Sequence, residues 1–496
     1  METLRRLQTR WGYPTGLLCV YGFFTTVKPL EPFLIPYLTG PDKNLTTEQV
    51  TNEIFPVWTY SFLVILLPVF VLTDYLRYKP VIVFQCVNLF ITTAMLLWAQ
   101  GVAAMQAMQF FYGVVTASEV AYFSYIYSVV DLRFYRRATS YCRSIQLVGY
   151  TVGSVLGQVL VSFSLMSYYN ILVLTEVLTS IALVASFFLP MPEKSMFFHQ
   201  QHSKAATPTV SPTATHTDTG PVGGEGEEDT GGNRSPVGEA GGEVSEEGGE
   251  GRVEVSHKGD TGGCCEVILL LWRDCLQCYS KPLLYWSVWW AMATCGYNQT
   301  VNYVQVLWEH VEPSQNFTVY NGGVEAVSNL FGAASAYAIG FTQVNWAAWG
   351  ELALGTFSAL IAASLFLMTF IGSIWVCYAS YVIFKSLYML LITIAMFQIA
   401  AELSMERYAL IFGVNTFGAL VLQTVLTAVV VDGRGLGLDI IPQFTIYGSY
   451  FSVIAAVFLL RGIYTQMRDH RGHTLKSHVG GESTCPETDT CPGHKF

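Results

Sequence analysis

Charged residues are what this 496-residue sequence has least of. They make up 12% of the chain, whereas 52% of the residues are hydrophobic and 14% aromatic. A typical soluble domain carries about 25% charged residues. Apolar runs of eighteen or more residues recur along almost the whole chain, and such runs are typical of transmembrane helices. The composition therefore excludes an ordinary soluble protein and predicts an all-α membrane protein whose main partner is the lipid bilayer.

Sequence signatures of common enzyme chemistry are also missing. The sequence contains no phosphate-binding loop, no H-E-x-x-H zinc motif and no nucleophile elbow. All nine histidines fall outside the predicted spans, which argues against a histidine proton relay inside the membrane. The eleven cysteines form no disulfide framework and no convincing zinc site. We therefore expect no enzymatic activity, no cofactor, no metal site and no nucleic-acid partner.

The apolar runs fall into two groups of six. Twelve spans are predicted, near residues 11–38, 55–73, 80–99, 103–130, 141–164, 169–189, 283–308, 319–341, 350–370, 374–401, 408–431 and 442–463. The segment between the groups is acidic and rich in Gly, Ser, Thr and Pro, which is typical of disorder. We predict an N-terminal six-helix bundle (1–192), a disordered cytoplasmic linker (193–263), a C-terminal six-helix bundle (264–465) and a disordered tail (466–496). This layout is typical of the major facilitator superfamily, in which two halves rock around a central site.

The distribution of Lys and Arg predicts the orientation. Short loops on one side of the predicted spans collect most of them, which places both termini and the linker in the cytoplasm. The sequons at Asn44 and Asn316 both fall in loops assigned to the other side, so both are predicted N-glycosylation sites. We expect a multi-pass protein of the plasma membrane.

Charges inside the spans are the first candidates for function, because each costs roughly 2.5–3.5 kcal/mol to insert. They are Lys28, Glu31, Glu119, Glu325 and Lys385. Lys28 and Glu31 are three residues apart and share a helical face, so they form either an intrahelical ion pair or part of a substrate site. Glu325 and Lys385 are candidates for a charge pair or a gate.

A polar and aromatic stripe marks the fourth span. Gln109, Tyr112, Glu119 and Tyr122 recur at helical spacing, and a polar stripe in lipid should face inward. Glu119 has no cation nearby on its own helix, so it either lines a cavity or serves a structural hydrogen bond. Acids outnumber bases at mid-membrane and aromatic residues are dense around them, which favours a flat organic cation as the substrate.

A second local signal lies between the second and third spans. Asp74 is followed by Arg77 and Lys79, an acidic-then-basic pattern like the one that the major facilitator superfamily carries at this place. We expect Asp74 and Arg77 to stabilise one gate conformation through charge pairing at the span ends.

Longer runs identify a family. The chain closely resembles the thiamine branch of the reduced folate carrier and thiamine transporter family in EPFLIPYLTGPDKNLT (31–46), NEIFPVWTYS (52–61), VLTDYLRYKP (71–80), LPMPEKSMFFH (189–199), YNGGVEA (320–326) and VVDGRGLGL (430–438). The resemblance implies thiamine uptake by alternating access. The folate carrier has Arg where this chain has Glu119, and Lys where it has Gln423, which also disfavours an anionic folate.

The resemblance also implies the residues of a pocket. Glu31, Phe55, Trp58, Tyr112, Tyr150 and Asn302 would contact the substrate, with carboxylates and amides on the aminopyrimidine and aromatic rings on either side. Gln109 stands where the family carries Glu, so affinity, pH dependence or selectivity is expected to differ there. Two alternatives stay open: a carrier of folates or other organic anions that uses Lys28 and Lys385, and a membrane receptor that does not transport. Pyridoxine and other organic cations are possible further substrates.

Overall fold

The described residues of the computed structural model are helical and contain no strand. They are residues 12–130, 132–192, 281–314, 319–339, 346–402 and 405–480, with residues 273 and 279 in addition. The linker predicted at 193–263 and the sequon at Asn316 lie outside this part of the chain.

The described part of the first half contains seven helices and two irregular turns. They are α1 (Gly12–Thr26), a 3₁₀ turn (Glu31–Phe33), α2 (Leu34–Thr39), a π turn (Gln49–Ile54), α3 (Phe55–Tyr75), α4 (Lys79–Trp98), α5 (Val102–Val129), α6 (Leu132–Ser162) and α7 (Tyr168–Phe188). Helices α3 and α4 pack on α5, and α1 packs on α6 and α7.

The second half contains six helices. They are α8 (Lys281–Val311), α9 (Asn321–Ile339), α10 (Trp346–Phe370), α11 (Ile374–Glu402), α12 (Met405–Leu426) with a π turn (Thr427–Val431), and α13 (Ile440–Gly480). Helices α10 and α13 pack together, and α11 packs on both α9 and α10. Each predicted span matches one of these helices, with α1 and α2 together forming the first, so the predicted arrangement of six and six is confirmed.

Eight helices of the described chain are long and apolar enough to cross a membrane. The helices that fall short of that measure are α1, α2, α5, α8 and α9. Helix α1 is short because its span is broken, whereas α5, α8 and α9 carry polar residues such as Glu119, Asn302 and Glu325 within their length. Several of the candidate site residues therefore lie on helices that fall short of this measure.

The last helix is longer than expected. Helix α13 continues to Gly480, seventeen residues past the end of the last predicted span at residue 463. Proline would end a helix, and residues 464–480 contain none. A polar segment can therefore extend a membrane helix into water.

The first span breaks at its middle. Helix α1 ends at Thr26, and the chain restarts at the 3₁₀ turn of Glu31. Pro29 cannot donate a backbone hydrogen bond, so the helix ladder cannot run through this point. Three glycines of α6, Gly149, Gly153 and Gly157, let the two backbones come together here, and a Cβ at Gly153 would lie 2.8 Å from the Lys28 nitrogen. The break is thus held against α6 by direct backbone contact.

The two halves are joined by hydrogen bonds at the end assigned to the outside. Tyr60 donates to the Asp432 carboxylate at 2.6 Å, and the Gly433 amide donates to the Asn52 carbonyl at 3.2 Å. Asn321 donates to the Pro32 carbonyl at 3.1 Å. Because the first half contributes one partner to each bond and the second half the other, these contacts hold the two halves together at this end.

Candidate functional site

A tyrosine connects the two charges of the broken first span. The Lys28 ammonium donates to the Tyr112 hydroxyl at 3.1 Å, and that hydroxyl donates to the Glu31 carboxylate at 3.3 Å. The ammonium also lies 4.9 Å from the centre of the Tyr112 ring. The structure therefore places Tyr112 of α5 between the two charges, in place of the simple intrahelical ion pair that was one of the two interpretations. Glu31 remains exposed.

Glu119 and Tyr150 complete this group. Glu119 is half-buried, lies near Gln146 of α6, and is acted on by the charges of Lys28 and Arg143. Tyr150, also on α6, is 38% exposed. The charges of Glu119, Lys28 and Glu31 all act on its hydroxyl. We call Lys28, Glu31, Tyr112, Glu119 and Tyr150 the inner cluster. It combines two carboxylates, one ammonium and two aromatic rings.

The polar stripe of α5 divides between two environments. Tyr112 and Glu119 belong to the inner cluster, whereas Tyr122 is 1% exposed and stacks on Tyr21 at 5.9 Å in the core of the first half. Gln109 is also buried, at 5% exposure. Helical spacing thus identified the stripe, but only tertiary packing separates its site residues from its core residues.

Two aromatic side chains predicted for the pocket, Phe55 and Trp58, are held by contacts with other residues. The Trp58 indole donates to Thr116 of α5 at 3.1 Å, and Thr116 in turn donates to the Tyr112 carbonyl at 2.9 Å. Phe55 lies 5.9 Å from Tyr303 of the second half. Both rings are therefore fixed in place, Trp58 by hydrogen bonds and Phe55 by a contact between halves.

Asn302 lies in the second half. It lies on α8 beside Tyr303, and its side-chain nitrogen is buried without a hydrogen-bond partner. A buried amide donor without a partner costs roughly 1–3 kcal/mol. A ligand acceptor that reached this nitrogen would recover that cost, which fits the substrate contact predicted for Asn302.

The second half holds its own charged group. Lys385 of α11 lies 2.6 Å from the Glu325 carboxylate of α9, and the Tyr381 hydroxyl donates to the same carboxylate at 2.7 Å. The ammonium is 5.7 Å from the centre of the Tyr381 ring. We call Glu325, Tyr381 and Lys385 the C-terminal triad. The structure brings the two predicted charges into a direct ion pair.

Asp74 and Arg77 lie away from both groups, in the turn between α3 and α4. The buried Asp74 carboxylate accepts a hydrogen bond from the Tyr78 hydroxyl at 2.7 Å. The Arg77 amide donates to the Asp74 carbonyl at 3.3 Å. Arg77 and Tyr78 have φ angles of 57° and 66°, which non-glycine residues adopt rarely. Their gating role stays a prediction.

An amide network in the second half escaped the sequence analysis. The Gln423 side chain donates to the side-chain oxygen of Gln299 at 3.4 Å and accepts from the Asn298 side chain at 3.2 Å. Thr427 donates to Gln299 at 3.2 Å. Uncharged amides give a weaker signal than charges in a hydropathy scan, although three amides within two apolar spans could have been noticed.

The inner cluster and the break in the first span lie in the first half, and they meet the second half where Gln305 donates to the Glu31 carbonyl at 3.0 Å. A discontinuous membrane helix at such an interface is a common feature of carrier binding sites. The profile of the reduced folate carrier family matches residues 9–446. The chain belongs to the reduced folate carrier family.

Relatives of this reduced folate carrier family member match along nearly its whole length. Human "Thiamine transporter 1" is 54% identical over 483 residues, covering 95% of this chain and 93% of the relative. Human "Thiamine transporter 2" is 52% identical over 491 residues, covering 98% and 96%. The human "Reduced folate transporter" is 38% identical over 469 residues, covering 93% and 74%.

Solved structures support the fold. The nucleoside transporter NupG superposes with a TM-score of 0.54 at 12% identity, covering 90% of this chain and 99% of that one. At this identity the likeness shows the fold alone, which is that of the major facilitator superfamily. This family member is therefore a multi-pass membrane protein with a carrier fold.

Proposed function

We propose that this chain carries thiamine across the plasma membrane by alternating access. The observation that carries the proposal is the inner cluster, where the Glu31 and Glu119 carboxylates face one ammonium among aromatic rings. Thiamine is a permanently charged cation with two flat rings, one of them an aminopyrimidine that donates hydrogen bonds. Carboxylates and rings in this arrangement suit that chemistry, and the high identity to thiamine transporters adds support.

The binding mode follows from the contacts. Each cation–π contact with a ring such as Tyr112, Trp58 or Tyr150 contributes roughly 0.5–2 kcal/mol. Glu31 and Glu119 supply acceptors for the aminopyrimidine, and the buried Asn302 nitrogen supplies a donor. Release to one side and capture from the other then require the contacts at the external ends to open and close.

The remaining expectations belong to the same proposal. Both termini and the linker lie in the cytoplasm, the two bundles span 1–192 and 264–465, and Asn44 and Asn316 carry glycans outside. Pyridoxine and other flat organic cations share the chemistry that the site favours. Transport of folates is less well supported, because the inner cluster places two carboxylates where an anion would have to bind.

Uptake of radiolabelled thiamine and folate by cells expressing the chain tests the proposal. We expect saturable thiamine uptake, no folate uptake, and loss of at least tenfold in thiamine uptake for Glu119→Gln at equal surface expression. Gln109→Glu restores the family residue at a buried position and serves as the matched charge control. Surface expression with thiamine binding but no flux of either vitamin would show that the protein acts as a receptor and not as a carrier.

A further inference from the structure

The C-terminal triad contains an ammonium that is already neutralised. Lys385 and Glu325 are 2.6 Å apart, and their side chains are 7% and 15% exposed. The second carboxylate oxygen accepts the Tyr381 hydroxyl at 2.7 Å. Both carboxylate oxygens are therefore occupied from within the second half, and the carboxylate lies nearer the surface than the ammonium.

Contacts of α9 place this triad at the boundary between the halves. Asn321, one helical turn before Glu325, donates to the Pro32 carbonyl at 3.1 Å, directly after Glu31 in the chain. Gln158 of α6 accepts from the Gly323 amide at 3.0 Å. The charge of Glu31 also acts on the Tyr381 hydroxyl. The C-terminal triad thus faces the inner cluster across the interface.

The charge balance at this interface depends on Glu325. If Glu325 were uncharged, the Lys385 ammonium would stand opposite the inner cluster and attract anions. With the pair intact, its field largely cancels beyond a few ångströms, and the more exposed member is the carboxylate. The substrate site then presents no uncompensated cation from the second half.

We propose that Glu325 is a specificity-determining residue, because by neutralising Lys385 it excludes anionic derivatives of the substrate, a phosphate monoester above all. This inference rests on the proposed function and adds the class of molecule that the site rejects. A phosphate monoester carries about −1.5 to −2 charges at neutral pH. The phosphate monoester has the same rings as the cationic substrate. It differs by the negative charge of its phosphate, which the Lys385 ammonium would attract.

A purely structural ion pair is the competing explanation, since breaking a buried pair destabilises proteins whatever its function. A loss of stability alone would lower the binding of every ligand by the same factor. A role in specificity changes the ratio between a cation and its phosphate ester. The ratio therefore separates the two explanations.

The experiment measures competition for labelled thiamine by unlabelled thiamine and by thiamine monophosphate, using the full chain in proteoliposomes. Glu325→Gln exposes the ammonium, and the double variant Glu325→Gln/Lys385→Gln removes both charges. We expect the single variant to shift the affinity ratio about tenfold or more toward the monophosphate. The double variant should keep the parent ratio.

Two outcomes would overturn the inference: an unchanged ratio in folded Glu325→Gln, or an equal shift in the double variant. If Glu325→Gln does not fold, the reversed pair Glu325→Lys/Lys385→Glu keeps the attraction and moves the ammonium to the more exposed position. That variant should also gain affinity for the monophosphate, and an unchanged ratio counts against the inference. Absence of thiamine binding in the parent chain refutes the proposed function instead.

Discussion

The hydrogen bond between Tyr60 and Asp432 offers the sharpest test of how the external ends are held together. Tyr60 belongs to the first half and Asp432 to the second, and their oxygens are 2.6 Å apart. The other Asp432 oxygen accepts the Arg434 amide at 2.9 Å, so the loop keeps its shape without Tyr60. Tyr60→Phe therefore removes one bond between the halves and leaves the ring and the loop in place.

The expected size of the effect follows from the charge on the acceptor. A hydrogen bond to a charged group contributes about 1.5–3 kcal/mol. Both residues are only half-buried, and water would solvate Asp432 once the ends separate, so the lower value applies. Since about 1.4 kcal/mol corresponds to tenfold, Tyr60→Phe should raise the outward-open population roughly tenfold relative to the closed one.

Distances between spin labels at the external ends measure this population. Glu48 and Leu436 are exposed and belong to opposite halves, which makes them suitable labelling positions in a background without native cysteines. Tyr464→Phe, at a 65% exposed tyrosine of α13, is the matched control for loss of a hydroxyl. Distance distributions that stay the same in Tyr60→Phe and in Asp432→Asn would refute the idea that this bond holds the ends together.

Two further predictions concern packing and orientation. Gly153→Ala places a methyl group 2.8 Å from the Lys28 backbone nitrogen, so it should destabilise the protein by about 1–3 kcal/mol and lower its unfolding temperature in detergent, whereas Gly16→Ala, with nothing within 4 Å, should not. Asn44, exposed in the loop between α2 and α3, should carry an N-glycan, so Asn44→Gln should remove a glycosidase-sensitive gel shift. The sequon at Asn298 lies within α8 and serves as the negative control; a shift lost with Asn298→Gln instead would contradict the assignment of α8 as a membrane span.

The sequence predicted the helices well because membrane insertion is decided locally. Lipid offers no hydrogen bonds to the backbone, so each span must be a helix and each apolar run reveals one. The same local information predicted that Lys28 and Glu31 share a face. It did not predict that Tyr112 stands between them, because that residue is 84 positions from Lys28 and reaches it only through packing.

Long-range pairs mark the limit of prediction from one sequence. Glu325 and Lys385 were each recognised as costly charges inside spans, but their 2.6 Å contact joins residues 60 positions apart. The break of the first span follows from Pro29, which cannot donate a backbone hydrogen bond. Its support by Gly149, Gly153 and Gly157 was also encoded, at a spacing of four residues that small side chains use to bring membrane helices together.

Each half contains a Lys, a Tyr and a Glu in contact with one another, but the two groups are arranged differently. In the first half, Tyr112 separates Lys28 from Glu31, with hydrogen bonds of 3.1 and 3.3 Å. In the second half, Lys385 touches Glu325 directly at 2.6 Å, and Tyr381 binds from the side.

The difference decides where a cation can bind. A carboxylate already in contact with an ammonium has little electrostatic attraction left for a ligand, whereas Glu31 is exposed and bound only by a neutral hydroxyl. A cationic substrate should therefore bind mainly to the first half and meet the second through neutral groups such as Asn302. Tyr112→Phe tests this asymmetry, since without the hydroxyl Lys28 can pair with Glu31 directly. Thiamine affinity should then fall more than in Tyr381→Phe, and an equal loss in both variants would show that the two halves share the cation evenly.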